Sequence, residues 1–329
     1  MKAVYIKTFG GPENLEIRDV ADPPKPTGFQ VLVSVKAAGL NRADLLQRRG
    51  HYPPPPGFSP NIPGLEFAGE IVETGKSVVG WKTGDRVFGI TAGEAQAELL
   101  LIESSLLARI PDNLSFTEAA AIPEAFITAH DAVFTQGELK SGETLLVHAV
   151  ASGVGLAAVQ LAKAKGALVV GTSRTGDKVV RCKEEFGLDI GLIIRDPKDF
   201  AGSIRGWTAE RGANVILDLV GAGYFQQNLE SLALKGRLIL VGLTSGTISE
   251  IDLAVALRKR LRIIGTVLRG RSIEEKAEAT RRFSEEVVPL LASGKVRPNI
   301  DKIYPAESVG EAHTYLESNQ SFGKVMLEF

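Results

Sequence analysis

Apolar and polar positions follow two rhythms along this chain. Over the first 123 residues the apolar runs are short and strand-like, at 3–6, 15–19, 30–37, 66–73, 86–90 and 95–102. Turn residues separate them: Gly-Gly-Pro at 10–12, Asp-Pro-Pro at 22–24 and Thr-Gly-Asp at 83–85. Strands of this length between such turns predict an antiparallel or mixed, barrel-like β domain. The one early helix expected runs over 41–49, after Gly39 and up to Gly50, and the proline-laden stretch 52–63 reads as a stiff irregular loop. From residue 124 the rhythm changes. Buried-type strands at 144–149, up to Ser173, and at 190–194, 214–220, 236–242 and 261–267 alternate with helical patterns at 153–165, 177–186, 198–211, 222–233 and 253–259, after an entry helix at 124–134. Such alternation predicts a doubly wound parallel sheet, because parallel strands need helical crossovers. The tail carries an amphipathic helix over 273–291, a strand at 301–304, a helix at 308–317 and a last strand at 323–327 that completes the first domain. The expected fold class is therefore α/β. A domain of residues 124–267 is inserted into a mostly β domain of residues 1–123 plus 268–329.

The chemistry concentrates where the first strand of the second domain meets its helix. The turn Ala149-Val150-Ala151-Ser152-Gly153-Val154-Gly155 keeps the small-xx-small-xx-Gly spacing of a dinucleotide fingerprint, with Ala149 and Ser152 where glycine often stands. Small residues at Ala151, Ser152, Gly153 and Val154 would let backbone N–H groups approach a pyrophosphate at the helix N-terminus, and Gly155 would let helix and strand pack closely. A glycine-rich turn with no ligand is the plainer alternative. About twenty residues on, an NAD site places Asp or Glu on the ribose 2′-hydroxyl. Here Ser173 and Arg174 stand there, followed by Lys178, with no carboxylate before Asp177. Basic side chains attract a 2′-phosphate, and one charge-assisted contact of about 1.5–3 kcal/mol favours NADPH over NADH by about 10- to 100-fold. A solvated basic loop is the alternative. Strand ends at Val220-Gly221 and Val241-Gly242-Leu243 are the further places where backbone could meet a nicotinamide ribose or amide, or where glycine merely turns the chain.

Composition narrows the class. The chain has 329 residues, 44% hydrophobic and 23% charged, enough for two domains with their own cores. A net charge of −1 and the lack of a basic–aromatic stripe speak against nucleic acid or an anionic membrane as the main partner. One cysteine, Cys182, rules out an intrachain disulfide and a cysteine-built zinc site. Neither a signal-peptide pattern nor an apolar run of about 18 residues is present, so a soluble cytoplasmic protein is expected.

Eight segments then carry a resemblance: GGPENL (10–15), AAGLNRADLLQRRGHY (37–52), PGLEFAGEI (63–71), GDRV (84–87), AAAIPEAFITA (119–129), LVHAVASGVG (146–155), LKGRLILVG (234–242) and FGKVMLE (322–328). In this order they resemble the quinone oxidoreductase (zeta-crystallin-like) branch of the medium-chain dehydrogenases/reductases, and within it the tumour-suppressor-induced quinone oxidoreductase type. The resemblance implies a Rossmann domain inserted into a GroES-like domain, NADPH as cofactor and a homodimer, or a tetramer, paired through the last strand of the sheet. It also exposes a departure from zinc-dependent members, which carry Gly-x-Cys-x-x-Asp and Gly-His-Glu. Asn41 stands in place of the cysteine and Leu65 in place of the histidine, and neither is a good zinc ligand.

A zinc-free enzyme is thus expected, one that delivers hydride to an acceptor already prone to reduction, a quinone or a conjugated carbonyl. Asn41 is the polar group expected beside the nicotinamide or the substrate oxygen, with capping of the helix at Arg42 as a coexisting role. Tyr52, by resemblance to enoyl reductases, would stack on or hydrogen-bond to a flat acceptor; packing under the prolines is the alternative. Gln47 is a further substrate candidate. Thr128, Val267, Leu268, Asn319 and Lys324 match positions near the cofactor in this branch. An enoyl or enone reductase and a non-catalytic NADPH-binding protein remain the rival functions.

Overall fold

The computed structural model describes residues 1–196 and 200–329. The chain divides into two compact units, Met1–Ile127 with Leu268–Phe329, and Thr128–Val267. In chain order the first unit opens with β1 (Lys2–Ile6), β2 (Leu15–Asp19), β3 (Gln30–Leu40), α1 (Arg42–Arg48), β4 (Glu66–Thr74), β5 (Arg86–Ile90), β6 (Leu99–Glu103), β7 (Leu107–Arg109) and α2 (Phe116–Ala120), and α3 (Pro123–His130) follows. The second unit runs β8 (Thr144–Val147), α4 (Gly153–Ala164), β9 (Leu168–Ser173), α5 (Gly176–Phe186), β10 (Ile190–Ile193), α6 (Ala201–Trp207), β11 (Ala213–Asp218), α7 (Phe225–Ser231), β12 (Leu232–Leu240), α8 (Leu253–Lys259) and β13 (Arg262–Gly265). The chain then returns through α9 (Ile273–Glu286), α10 (Val288–Ala292), β14 (Ile300–Pro305), α11 (Val309–Glu317) and β15 (Lys324–Glu328).

In the first unit a seven-stranded mixed sheet runs β14-β15-β3-β4-β5-β7, with β6 on β3 and a β1–β2 ribbon beside it. Strand β3 explains the arrangement. Val31, Val33 and Val35 point inward at alternate positions, as a half-buried strand requires, and pack with Phe67, Ile71, Val87 and Leu100. Register shifts at Leu32/Val33 and Val35/Ala37 let β3 serve β4 on one edge while β6 pairs on the other. The final strand β15 lies antiparallel to β3 through Val325–Leu40 to Glu328–Ala37, so the two chain ends share one sheet.

The second unit is a six-stranded parallel sheet of order β10-β9-β8-β11-β12-β13. Its central strands are continuous apolar runs because helices cover both faces. Leu146, Val170, Ile216 and Leu238 pack with Phe200, Ile204 and Leu229. The strand order reverses between β8 and β11, and such a switch point is where α/β sheets take ligands.

Several expectations shift. Helix α2 is an element the sequence reading passed over, although Ser115 and Glu118 form a reciprocal capping box. The entry helix ends at His130 and widens into a π-helical turn over Asp131–Gln136. The expected helix 273–291 is two helices, interrupted at Val287 ahead of Pro289. Val220 and Gly242 lie beyond their strands, which stop at Asp218 and Leu240. The expected helix 198–211 starts on residues 198 and 199, outside the described residues; α6 begins at Ala201. Among the described residues no helix is long and apolar enough to cross a membrane.

Candidate active site

In the first unit the chemistry begins at the end of β3. Asn41 is the residue before α1, in extended conformation (φ −129°, ψ 157°), as an N-cap should be. Its side chain shares a capping box with Asp44 at the start of α1. The amide donates to Glu66 Oε1 at 2.8 Å and accepts from Lys324 Nζ at 2.7 Å. In that box the Asp44 carboxylate takes the Asn41 N–H at 2.7 Å, and it also takes the Gly64 N–H at 3.1 Å. Lys324 also donates to the Leu40 carbonyl at 3.0 Å and to Glu66 Oε1. All three ammonium protons are thereby committed, and Lys324 is 5% and Glu66 0% exposed. Lys324, expected as a cofactor contact, is placed as the clamp that orients Asn41.

The second oxygen of Glu66 accepts the Glu124 N–H at 2.8 Å, which brings another acid into the cluster. Burial pushes the Glu124 carboxyl up to about 8, helped by repulsion from Glu66 and Asp44 and opposed by Lys324 and Arg269. Burial likewise raises Asp44 to about 6, against the hydrogen bonds from Asn41 and Gly64 and the charges of Lys324 and Arg269. Both acids hold their protons more tightly folded than unfolded, so their contribution to stability falls as pH rises, from about 4.5 to about 8 for Glu124. Glu124→Gln should flatten that part of the stability–pH curve and leave the variant about 1–2 kcal/mol more stable than the native chain above pH 8. Denaturant titrations at pH 5 and pH 8.5 check this; parallel curves for the two proteins would refute it.

Tyr52 stands at the head of the proline loop, half-buried, with its ring on the guanidinium of Arg269, Cζ 4.7 Å from the ring centroid. Arg269 is 6% exposed and threads the site together. It donates to the Ala92 carbonyl at 2.8 Å, the Tyr52 carbonyl at 2.9 Å and Gln47 Oε1. Burial raises the Tyr52 phenol above its ordinary value, with Arg269 opposing and Glu124 adding. Gln47, expected to meet substrate, is 1% exposed, and its amide donates to the Pro60 carbonyl at 3.1 Å. That expectation is corrected: Gln47 ties α1 to the proline loop and to Arg269, and a residue so enclosed positions its neighbours. Asn319 adopts φ 60° after α11, donates to the Glu317 carbonyl at 3.0 Å and accepts from Arg42. It links the end of α11 to the start of α1. Leu268 is buried.

In the second unit the fingerprint turn is built as the spacing predicts. Ser152 caps α4, its hydroxyl accepting the Gly155 N–H at 3.1 Å. The N–H groups of Gly153 and Val154 belong to the first turn of α4, which has no internal acceptors. Gly155 is required: a Cβ there would sit 2.5 Å from the Val150 carbonyl oxygen. Ala149 takes φ 48°, a left-handed conformation that glycine adopts freely in this position. Ala151 is buried against the turn. Past β9, Ser173 is half-buried and accepts the Thr175 N–H at 3.4 Å, Arg174 is exposed, and Lys178 follows in the first turn of α5.

At the end of β11, the Asp218 carboxylate receives the N–H groups of Val220 at 2.7 Å and Gly221 at 2.9 Å. The loop after β12 folds back onto this turn through Ser245 N–H to the Val220 carbonyl at 2.8 Å. Gly242 and the half-exposed Leu243 lie in that loop, and the half-exposed Val267 follows β13. Thr128 is half-buried in α3. The sequence reading missed Glu66, Asp44, Glu124 and Arg269. Glu66 and Asp44 had local signals, the Gly-Leu-Glu that stands for Gly-His-Glu and the acid that ends Gly-x-Asn-x-x-Asp; Glu124 and Arg269 are brought in by folding.

Two family models match, the alcohol dehydrogenase GroES-like domain over residues 27–129 and the zinc-binding dehydrogenase over residues 153–285. A curated human relative, "Quinone oxidoreductase", is 34% identical over 99% of this chain and 97% of its own. The solved Escherichia coli quinone oxidoreductase complexed with NADPH superposes with a TM-score of 0.89 at 30% identity, over all of both chains. JamJ enoyl reductase superposes with a TM-score of 0.86 at 26% identity, over 99% of this chain and 98% of that one. With its GroES-like and Rossmann parts in this order, the chain belongs to the quinone oxidoreductase family of medium-chain dehydrogenases/reductases.

Proposed function

We propose that this protein is a cytoplasmic, NADPH-dependent and zinc-independent reductase that passes hydride to quinones or similar conjugated carbonyl acceptors. The observation that carries the reading is the end of β9, where Ser173 and the exposed Arg174 stand in place of the acid of an NAD site. The relatives named for quinone reduction, one of them solved with NADPH, support the same cofactor.

The fold family also raises the question of zinc, and the donor set does not fit it. Leu65 is an apolar side chain 2% exposed, Asn41 is an amide, and Glu66 is already neutralised by Lys324. Among the described residues no three His, Cys, Asp or Glu side chains are grouped to hold a metal ion.

The residues that would hold the cofactor are the N–H groups of Gly153 and Val154 for the pyrophosphate and Ser173, Arg174 and Lys178 for the 2′-phosphate. When bound, the reduced nicotinamide supplies the hydride. The reaction is quinone plus NADPH plus a proton to hydroquinone plus NADP⁺, so the protein must also manage one proton. Tyr52, held against Arg269, offers a flat face and a phenolic hydroxyl to the acceptor. Glu124, a carboxyl that keeps its proton to about 8, is a neutral acid in the same cluster. Asn41, clamped by Lys324 and Glu66, presents a fixed amide rather than a rotating one. A homodimer would form on the free edge of β13, where Ile263 is 42% exposed, with a tetramer as the larger assembly that sedimentation would distinguish.

An enoyl or enone reductase is the second reading, supported by the likeness to JamJ enoyl reductase. The test is NADPH oxidation with a small quinone set beside a 2-enoyl thioester and a 2-alkenal. Faster turnover of the quinone is expected. Dominance of the thioester or alkenal would overturn the choice of acceptor, and tight NADPH binding with no accelerated acceptor would make the protein a non-catalytic binder.

A further inference from the structure

Four polar side chains that the mechanism does not use lie in one line under the sheet's carboxyl ends. Thr172 Oγ1 is 2.8 Å from His148 Nδ1, His148 Nε2 is 2.6 Å from Asn228 Oδ1, and Asn228 Nδ2 is 3.0 Å from Asp218 Oδ2. None of the four is more than 1% exposed. Phe200 and Tyr224 wall the imidazole edge-on, their ring centroids 5.2 Å and 4.8 Å away. The line joins three segments. His148 precedes the strained Ala149 of the fingerprint turn, Thr172 precedes Ser173 and Arg174, and Asp218 holds the N–H groups of Val220 and Gly221.

Its polarity follows from the carboxylate. Asp218 only accepts, so Asn228 must turn its NH2 to Asp218 and its oxygen to His148. Nε2 therefore carries the imidazole proton, and Nδ1 accepts from the Thr172 hydroxyl. Burial, opposed by Asp218 and by the hydrogen bond to Asn228, lowers the His148 pKa, in keeping with this assignment.

We propose that Thr172, His148, Asn228 and Asp218 are a positioning frame for the dinucleotide, setting the pyrophosphate turn, the 2′-phosphate loop and the Val220–Gly221 turn in one fixed register. The proposal rests on the NADPH reading above. A core built only for stability would need no buried hydrogen-bonded line, since apolar residues of like shape serve that end as well. Because Asn228 and His148 each give one donor and one acceptor along the line, it can reverse once its carboxylate end is replaced by an amide. In Asp218→Asn the new amide oxygen keeps the Val220 and Gly221 N–H groups while its NH2 faces Asn228. Asn228 then flips, and the imidazole proton moves from Nε2 to Nδ1.

The experiment compares the native protein with Asn228→Leu, Thr172→Val and Asp218→Asn. NADPH is titrated by fluorescence, melting temperature is followed, and histidine-labelled protein gives the imidazole ¹⁵N spectrum, with His148 assigned by its loss in His148→Gln. Asn228→Leu and Thr172→Val should weaken NADPH by about tenfold and about fivefold and raise its KM, with kcat within about twofold. Thr172→Val deletes a single hydroxyl and so serves even where Asn228→Leu fails to fold. Asp218→Asn should bind NADPH within about threefold of the native protein and show the Nδ1–H tautomer in place of Nε2–H. A native protein that does not bind NADPH would bring down the underlying reading and the frame with it. With native binding intact, unchanged affinity in Thr172→Val and Asn228→Leu would overturn the frame alone. An Asp218→Asn spectrum still showing Nε2–H would do the same.

Discussion

Lys324→Met is expected to destabilise the first unit by about 3–5 kcal/mol, the largest loss any single change at the site should produce. The methionine fills much of the same space, so the loss is electrostatic. Glu66, 0% exposed, would be left with no cation beside its carboxyl group, and the Leu40 carbonyl and the Asn41 oxygen would lose their donor. Asn41 would then be free to rotate, and activity should fall with stability. The double variant Glu66→Gln/Lys324→Met distinguishes this account from lost packing. Glutamine still accepts the Glu124 N–H but carries no charge, so about half of the lost stability or more should return. Denaturant unfolding of the single and double variants is the measurement. A double variant no more stable than Lys324→Met would show that the charge on Glu66 was not what the lysine balanced.

Arg174→Glu should raise the KM for NADPH by about 10- to 100-fold while changing that for NADH only a few-fold. The side chain is exposed beyond the end of β9, so its removal leaves the core untouched and the melting temperature should stay within a few degrees. Glutamate adds repulsion of a 2′-phosphate and can accept from a 2′-hydroxyl, so the two cofactors should move in opposite directions. The effect should also shrink at high salt, because the contact is partly solvated. Parallel changes in both KM values would place the 2′-phosphate elsewhere.

The candidate site divides sharply in how legible it was. The fingerprint turn is local: Ser152, Gly153, Val154 and Gly155 lie within four consecutive positions, and the strand before and helix after them are set by apolar periodicity. Its geometry could be read from spacing alone. Asn41 was also found from its motif, yet what it does is decided by Glu66, 25 positions away, and Lys324, 283 positions away. Arg269 was invisible because its hydrogen bond to Gln47 spans 222 positions and no pattern near Leu268 marks it. Gln47 misled for the same reason: a polar residue on a short helix reads as exposed, whereas the proline loop and Arg269 close over it. The break in the helix 273–291 is different, since Pro289 lies within the segment and marks it locally.

By itself, then, the amino-acid sequence determined most of the strands and helices and that the middle of the chain is a parallel α/β sheet, and it marked the turn where a phosphate-bearing cofactor is proposed to meet backbone. These are properties of neighbouring residues, set by side-chain period, turn chemistry and helix ends. Only the tertiary structure decided which charges face one another: that Lys324 answers Glu66, that Arg269 carries Tyr52, and that His148 is linked to Asp218 through Asn228. A buried charge or imidazole takes its character from whatever folding brings within a few ångströms, and that distance is not written in the spacing of the chain.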